Sequence, residues 1–223
     1  LRNRETIVLK KIISGGQTSA DRAALDAAIK LGIPHGGWMP KGRITETGTL
    51  PETYQLLETA TDNYSDCIRK NVKDSKGTLI VFYDKLTGDL YQAERETLKL
   101  RHQLLGVDLK QKNALQAASL VNDWVQLRQI DVLYVIGPST AENPNIGNHT
   151  RLMIERALLL DMMNIPTGRL IADYSKKDFL EKLPALPKTI HEAVGRLISE
   201  LPLKDKVVIA NMTYDELVDL NSN

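Results

Sequence analysis

A chain of 223 residues with 42% apolar and 26% charged residues can bury a core without covalent staples. Its formal net charge of +1 gives no basic excess for a dedicated nucleic-acid surface, and no apolar run approaches the ~20 residues of a membrane helix. The lone Cys67 excludes an internal disulfide framework and a cysteine-cluster zinc site.

Residues 7–13 form an apolar, β-branched run of strand length, broken by Gly15 and Gly16. Gln17, Thr18 and Ser19 supply small polar groups. From Ala20 the spacing of Ala24, Leu25, Ala28, Ile29 and Leu31 predicts a helix with one apolar face. A strand feeding a glycine turn that opens a helix aims unpaired N–H groups and a positive dipole end at one spot. That is a seat for a phosphate or another anion. The turn matches neither the Gly-x-Gly-x-x-Gly fingerprint nor a phosphate loop ending in Gly-Lys-Ser/Thr. Asp21 and Arg22 fall in the first helical turn, where Asp21 either pairs with the helix dipole or contacts a ribose or metal.

Gly32 and Pro34 end this helix. Residues 35–39 make a short strand at best, because their glycines weaken it, and Trp38 is either core or a flat wall for a ring. Pro40, Lys41, Gly42 and Arg43 form a turn with two cations. Residues 44–63 predict a long loop with one helical turn near 54–57, and loops of that length are usually functional or disordered. A helix is predicted over 64–72, with Cys67, Ile68 and Val72 on one side, so Cys67 is expected to be buried and inert.

Residues 78–83 are the clearest buried strand, and Leu86, Thr87, Gly88 and Asp89 open a helix running to about 100. Residues 103–109 read as a fourth strand interrupted by Gly106. Residues 114–129 read as a helix with Leu115, Ala118, Val121, Val125 and Leu127 or its neighbours inward. The last strong strand, 131–136, is stopped by Gly137, Pro138 and Ser139, and a helix follows over about 148–163. This alternation predicts an α/β fold with a mainly parallel sheet of about five strands, covered on both faces. Ligands of such sheets sit beyond the carboxyl ends of the strands. The polar glycine loops at 14–19, 87–89 and 137–147 all follow strands and should gather at one rim.

Near residue 173 the character changes. Residues 1–172 read as the main domain, 173–186 as a linker rich in Lys, Leu and Pro, and 187–223 as a small helical appendage. Thr213 with Glu216 three on marks a helix start there. His35 and His149 lack a partner at metal-ligand spacing, and no serine sits in a nucleophile elbow. Among carboxylates near the glycine loops, Asp21, Asp89 and Glu94 are the candidates for catalysis.

Together these stretches resemble a known family. Lys11-Ile12-Ile13-Ser14-Gly15-Gly16-Gln17-Thr18 with Asp21-Arg22-Ala23-Ala24-Leu25-Asp26, and Gly36-Gly37-Trp38-Met39-Pro40-Lys41-Gly42-Arg43, are similar to the putative molybdenum carrier family, a circularly permuted YpsA-like branch of the SLOG superfamily related to the lysine-decarboxylase-like LOG proteins. Tyr54 to Glu58, Asn71-Val72, Gly77-Thr78-Leu79-Ile80 and Gly137-Pro138 continue the match over roughly residues 7–163. The resemblance implies a Rossmann-like three-layer fold and a nucleotide-type or pterin-cofactor ligand at the glycine rim. Ser19 stands where the family commonly has a third Gly, Met39 where it has Cys, Asp89 where it has a second Gly, and Ser139 where it has Arg. Asp89 adds negative charge to a phosphate grip, and the missing Arg removes a bidentate partner.

Three functions follow as expectations. The first is a cytoplasmic carrier or sensor of a small phosphorylated molecule, a nucleotide derivative or molybdenum cofactor. Gly15, Gly16, Gln17 and Thr18 would hold the phosphate and Lys41 and Arg43 would neutralise it. Asp21, Arg22, Trp38, Pro40, Gly42, Asn71, Thr87, Gly88, Gly137, Pro138 and Ser139 would complete the ligand site, and no metal ligand set is expected. The second is a nucleoside-monophosphate phosphoribohydrolase using one of the three carboxylates. The third is a scaffold recruiting a protein partner through the C-terminal helices. A homo-oligomer is expected, with neither nucleic acid nor membrane as partner.

Overall fold

The computed structural model describes residues 8–162 apart from 18, 140 and 142. All of them belong to one compact unit. Thr18, the linker and the helical appendage lie outside the described residues.

In chain order the elements are β1 (Lys11–Ile13), α1 (Ala20–Lys30), β2 (His35–Gly36), β3 (Trp38–Met39), β4 (Ile44–Thr45), β5 (Gly48–Thr49), β6 (Leu57–Glu58), α2 (Tyr64–Asp74), β7 (Gly77–Phe82), α3 (Gly88–Lys99), β8 (Gln103–Asp108), α4 (Ala114–Arg128), β9 (Val132–Ile136) and α5 (Ile146–Met162). Five strands form one sheet in the order β2-β1-β9-β7-β8, and every pairing in it is parallel. The predicted α/β Rossmann-like arrangement is therefore the observed one.

The apolar strands are buried on both faces. Ile12, Leu79, Val81, Leu133 and Val135 join the core under α1, α4 and α5, while Ile13, Ile80, Tyr134 and Ile136 pack with Ile68 and Val72 of α2 and Leu90 and Ala93 of α3. This is the period-two alternation of a strand, with an apolar residue on each side. In α1 the buried face is almost all alanine, Ala20, Ala23, Ala24, Ala27 and Ala28, which lets the helix lie close to the sheet and to α5. A smaller cluster of Leu25, Met39, Leu50 and Leu56 sits beneath the segment that follows β3.

Several local expectations are corrected. The short strand at 35–39 is two strands, because Gly37 adopts φ +128° and a side chain there would strike the Ser14 carbonyl oxygen. The segment 44–63 is not a featureless loop: β4 and β5 form an antiparallel hairpin and β6 pairs with β3. In place of a helical turn at 54–57 the chain makes a turn from Pro51 to Tyr54 and then enters β6. Ala118, Val121 and Val125 of α4 face inward as expected, joined by Ala117, whereas Leu115 and Leu127 point outward, 50% and 77% exposed. Ile29 likewise is exposed. Cys67, Ile68 and Val72 are buried as expected, and burial pushes the Cys67 thiol above its ordinary value.

At the far end of α5 the Asp161 carboxylate accepts the N–H groups of Val8 at 3.4 Å and Leu9 at 3.1 Å, with the Gln126 amide as a further donor.

Candidate functional site

The strand order decides where the polar loops meet. From β1 the chain winds outward to β2, from β7 outward to β8, and β9 returns between β1 and β7. The reversal leaves a crevice beyond the carboxyl ends of these neighbouring strands. It contains a cavity of about 310 Å³, at the lower end of the range for small-molecule pockets. Gln17 comes from the turn after β1, and Gly137, Pro138 and Ser139 from the turn after β9. Thr87, Asp89 and Leu90 come from the start of α3, Tyr64 from the start of α2, and Glu46 from the β4–β5 hairpin.

The helix ends at this cavity differ from those elsewhere. Asn63 caps α2 by accepting from the Ser65 N–H, and Asn113 caps α4 in a complete capping box with Gln116. Neither Ser19 nor Thr87, the N-caps of α1 and α3, turns its side chain onto its own helix. Both helices thus begin without a side-chain cap at their positive ends. Ser19 holds φ 71° and ψ −118°, a backbone region in which side chains other than hydrogen are strained, and its hydroxyl is buried without a hydrogen-bond partner.

Asp21 lies beneath the lining, 1% exposed. Its carboxylate accepts the Tyr64 hydroxyl at 2.9 Å and the Gly137 N–H at 3.3 Å. Burial raises its pKa from 3.8 to about 6, against the opposing pull of Tyr64, Gly137, Ser14 and Gly15. Burial, and then the Asp21 charge, hold the Tyr64 hydroxyl well above its ordinary value. Gly15 is required here by space: a β-carbon would sit 2.6 Å from the Tyr64 Oη and 2.8 Å from the Asp21 Oδ2.

Gln17, Thr87, Asp89, Gly137, Pro138 and Ser139 thus line one cavity, with Gly88 between two lining residues. Other candidates lie elsewhere with different partners. Four of the five N–H donors of Arg43 are directed at backbone carbonyls of Leu50, Pro51, Tyr54 and Leu56. That guanidinium organises the segment between β5 and β6 instead of facing the cavity. Arg22 donates to the Thr45 and Thr47 hydroxyls and lies over the Tyr54 ring. Asn71 is buried and clamps both polar groups of the Trp38 peptide, accepting from its N–H at 2.8 Å and donating to its carbonyl at 2.9 Å. The Trp38 indole donates to Asp74 at 2.7 Å, with the Lys70 ammonium 3.7 Å from its ring centre.

Pro40 is buried and Lys41 exposed. The Gly42 N–H donates to Glu58 at 2.6 Å, and Gly16, at φ +70°, packs against Leu50 and Leu56. Glu94 of α3 is not part of the lining.

Tyr64 and Glu46 were not among the sequence candidates. Tyr64 was legible only as a helix start, because its partner Asp21 is 43 residues away. A second, more open concavity of about 240 Å³ is bordered by Asp66, Arg69, Lys70 and Lys73, but Arg69 is already paired with Asp66. Among the described residues no group of three or more His, Cys, Asp or Glu is placed to hold a metal ion.

Residues 12–158 match the model of the circularly permutated YpsA SLOG family. The chain belongs to that family. A solved relative, the "Putative molybdenum carrier protein" of Syntrophus aciditrophicus SB, is 46% identical, with a TM-score of 0.66 over 68% of this chain and 96% of its own. No curated protein matches. The family match begins within β1 and ends within α5, so it takes in all three strand ends of the cavity. No helix among the described residues is long and apolar enough to cross a membrane.

Proposed function

We propose that this SLOG protein binds a small phosphorylated ligand of nucleotide or pterin type at the crevice, as a carrier or sensor. The observation that carries the reading is the pair of helix N-termini, α1 and α3, left without side-chain caps beside the cavity, whereas α2 and α4 are capped. Backbone N–H groups at such ends hold an anion without a cationic side chain, and no Lys or Arg lines the cavity. The lining carries Asp89 and Glu46 instead. Carboxylates repel a bare phosphate but accept from hydroxyl and amino groups. A two-ended ligand, anionic at one end and rich in donors at the other, suits both features.

The relative's name brings molybdenum cofactor into the candidate set as cargo. Cys67 is buried in α2, away from the lining. The donors on hand, N–H groups, hydroxyls and carboxylates, suit the organic phosphate part of that cofactor and offer its metal no thiolate.

Calorimetry of the full chain with adenosine 5′-monophosphate, ADP-ribose and molybdopterin tests the reading, together with native mass spectrometry of freshly purified protein. Saturable binding of at least one compound, lost in Gly15→Ala, is expected. Absence of binding across the panel, or unchanged binding in Gly15→Ala, overturns it.

A second reading is hydrolysis of a nucleotide's N-glycosidic bond. It is favoured by Asp89, the one of the three candidate carboxylates that lines the cavity. Release of free base from a nucleotide panel, abolished in Asp89→Asn, would establish it; no turnover across the panel would exclude it.

A further inference from the structure

We infer that the outer edge of β8 is the contact surface for a second copy of this chain, joined strand to antiparallel strand so that two sheets become one. The inference concerns assembly and does not depend on the ligand at the crevice.

The two edges of the sheet are built differently. β2 is two residues long, and a short strand blunts an edge. β8 closes the other side with six residues, Gln103 to Asp108, all in register with β7. Only Asp108, at its end, is charged, and the strand has no proline. The Gln103 N–H goes to the Lys76 carbonyl and the Leu109 N–H to the Phe82 carbonyl. Backbone groups alternate sides along a strand, so those of Leu105 and Val107 also face β7. Those of Leu104 and Gly106 face outward, with no strand among the described residues to receive them.

Apolar side chains continue this edge on both faces of the sheet. α3 lies on β7 and β8 beside α2. Its Gln92 accepts the Ser65 hydroxyl of α2, which turns the other flank of α3 toward the open edge. That flank carries Tyr91 and Leu98, 55% and 59% exposed, with Glu94 and Arg95 between them. On the opposite face, α4 directs Gln126 to Asp161 of α5. Its far flank carries Leu120, Trp124 and the exposed Leu127 at i, i+4 and i+7.

The order of residues on α3 points to a second copy as the occupant. Tyr91 and Leu98 share their midpoint with Glu94 and Arg95. A two-fold axis at that midpoint sets each Tyr91 against Leu98 of the second copy, and each Glu94 against Arg95 of the second copy. Among the described residues neither Glu94 nor Arg95 has an ion-pair partner within the chain.

The strand agrees with the same axis. The Thr97 hydroxyl donates to Thr78 at 2.9 Å, and Thr78 is the register partner of Leu104, so Thr97 stands level with Leu104. From Thr97 to the α3 midpoint is about 4 Å of helix rise, roughly one residue of strand. The axis therefore passes at Leu105 and sets Leu104 opposite Gly106 of the second copy. Each such pair exchanges both of its outward N–H···O bonds. Gly106 has no side chain of its own, which leaves room for Leu104 of the second copy beside Phe82. Because the joined strands run antiparallel, the two crevices open at opposite ends of the shared sheet.

Sedimentation velocity of the full chain reads the assembly, and the wild type is expected to sediment as a dimer at high micromolar concentration. Arg95→Glu leaves only acidic groups at the α3 midpoint and should weaken the dimer by about tenfold or more. Exchanging both residues, Glu94→Arg with Arg95→Glu, re-forms the reciprocal pairs and should restore association to within about threefold of wild type. Leu98→Lys, at an exposed position, should weaken it as Arg95→Glu does. Hydrogen exchange supplies a readout on the unaltered chain. The amides of Leu104 and Gly106 should be protected in the dimer and lose that protection in the monomer, whereas Leu105 and Val107 stay protected in both. A wild type that is monomeric throughout, a dimer indifferent to Arg95→Glu or to Leu98→Lys, or a double exchange that fails to restore association overturns the inference. So does protection of Leu104 and Gly106 that is missing from the dimer or persists in the monomer.

Discussion

Replacing Asp21 by Asn should strengthen the fold at neutral pH relative to acid pH, in an amount set by the burial of one carboxylate. The Asp21 carboxyl titrates at about 6 in the folded protein against an ordinary 3.8. Between those values the folded chain holds a proton that the unfolded chain has released, so stability falls as pH rises. The favourable contribution is complete below 3.8 and is lost as pH passes through about 6. At 1.36 kcal/mol per pH unit the whole change is about 3 kcal/mol. Asn keeps an oxygen for the Gly137 N–H and does not titrate, so any fixed cost of the substitution drops out of the pH dependence. Urea unfolding can be followed by the fluorescence of Trp38 and Trp124, the only tryptophans of the chain. The unfolding free energy of Asp21→Asn minus that of the wild type should rise by about 2 to 3 kcal/mol between pH 4 and pH 7 and stay level above. A difference constant to within about 1 kcal/mol over that range would falsify the account of Asp21 as a desolvated carboxylate.

Three further substitutions probe the supporting structure. Ser19→Gly relieves a backbone at φ 71° and removes a buried hydroxyl without a partner. A gain of about 1 kcal/mol is expected, seen as a higher melting temperature, and a loss of stability would contradict the strain. Arg43→Lys replaces a fork that reaches four carbonyls with a single ammonium. It should cost about 2 kcal/mol and speed proteolysis between residues 48 and 57; unchanged cleavage there would show that the guanidinium does not hold this segment. Asn71→Ala leaves the N–H and carbonyl of Trp38 without their clamp. A loss of about 2 kcal/mol is expected in urea unfolding, and a neutral result would mean that water replaces the amide.

What could be read in the sequence was local. Each strand–glycine–helix junction lies within a dozen residues, so the loops at Gly15, Gly88 and Gly137 were visible as turns that open helices, and so was their shared side of a parallel sheet. The insertion of β9 between β1 and β7 was not visible, because nothing in Val132–Ile136 states which strands it will pair with. The roles of the polar residues were the least legible. Arg43 looked like a ligand contact because it is a cation just after a strand end, and Asn71 because it lies in a stretch that resembles the family. In the fold they satisfy backbone groups that extended segments without regular pairing leave open. Leu115 and Leu127 looked inward because they are leucines, whereas the inward face of α4, which packs on α5, carries the smaller Ala117 beside the expected Ala118. Tyr64 escaped notice because its meaning depends on a carboxylate in another helix.

The bond from Asp161 to the N–H groups of Val8 and Leu9 joins the last turn of the last described helix to the lead-in of the first strand. Residue 161 and residues 8–9 thus lie one hydrogen bond apart, close enough for a short linker to join them. A chain opened at another exposed turn, such as the one at Asp84 and Lys85, and joined by a short linker across the Asp161 contact would carry the same strand order and the same crevice.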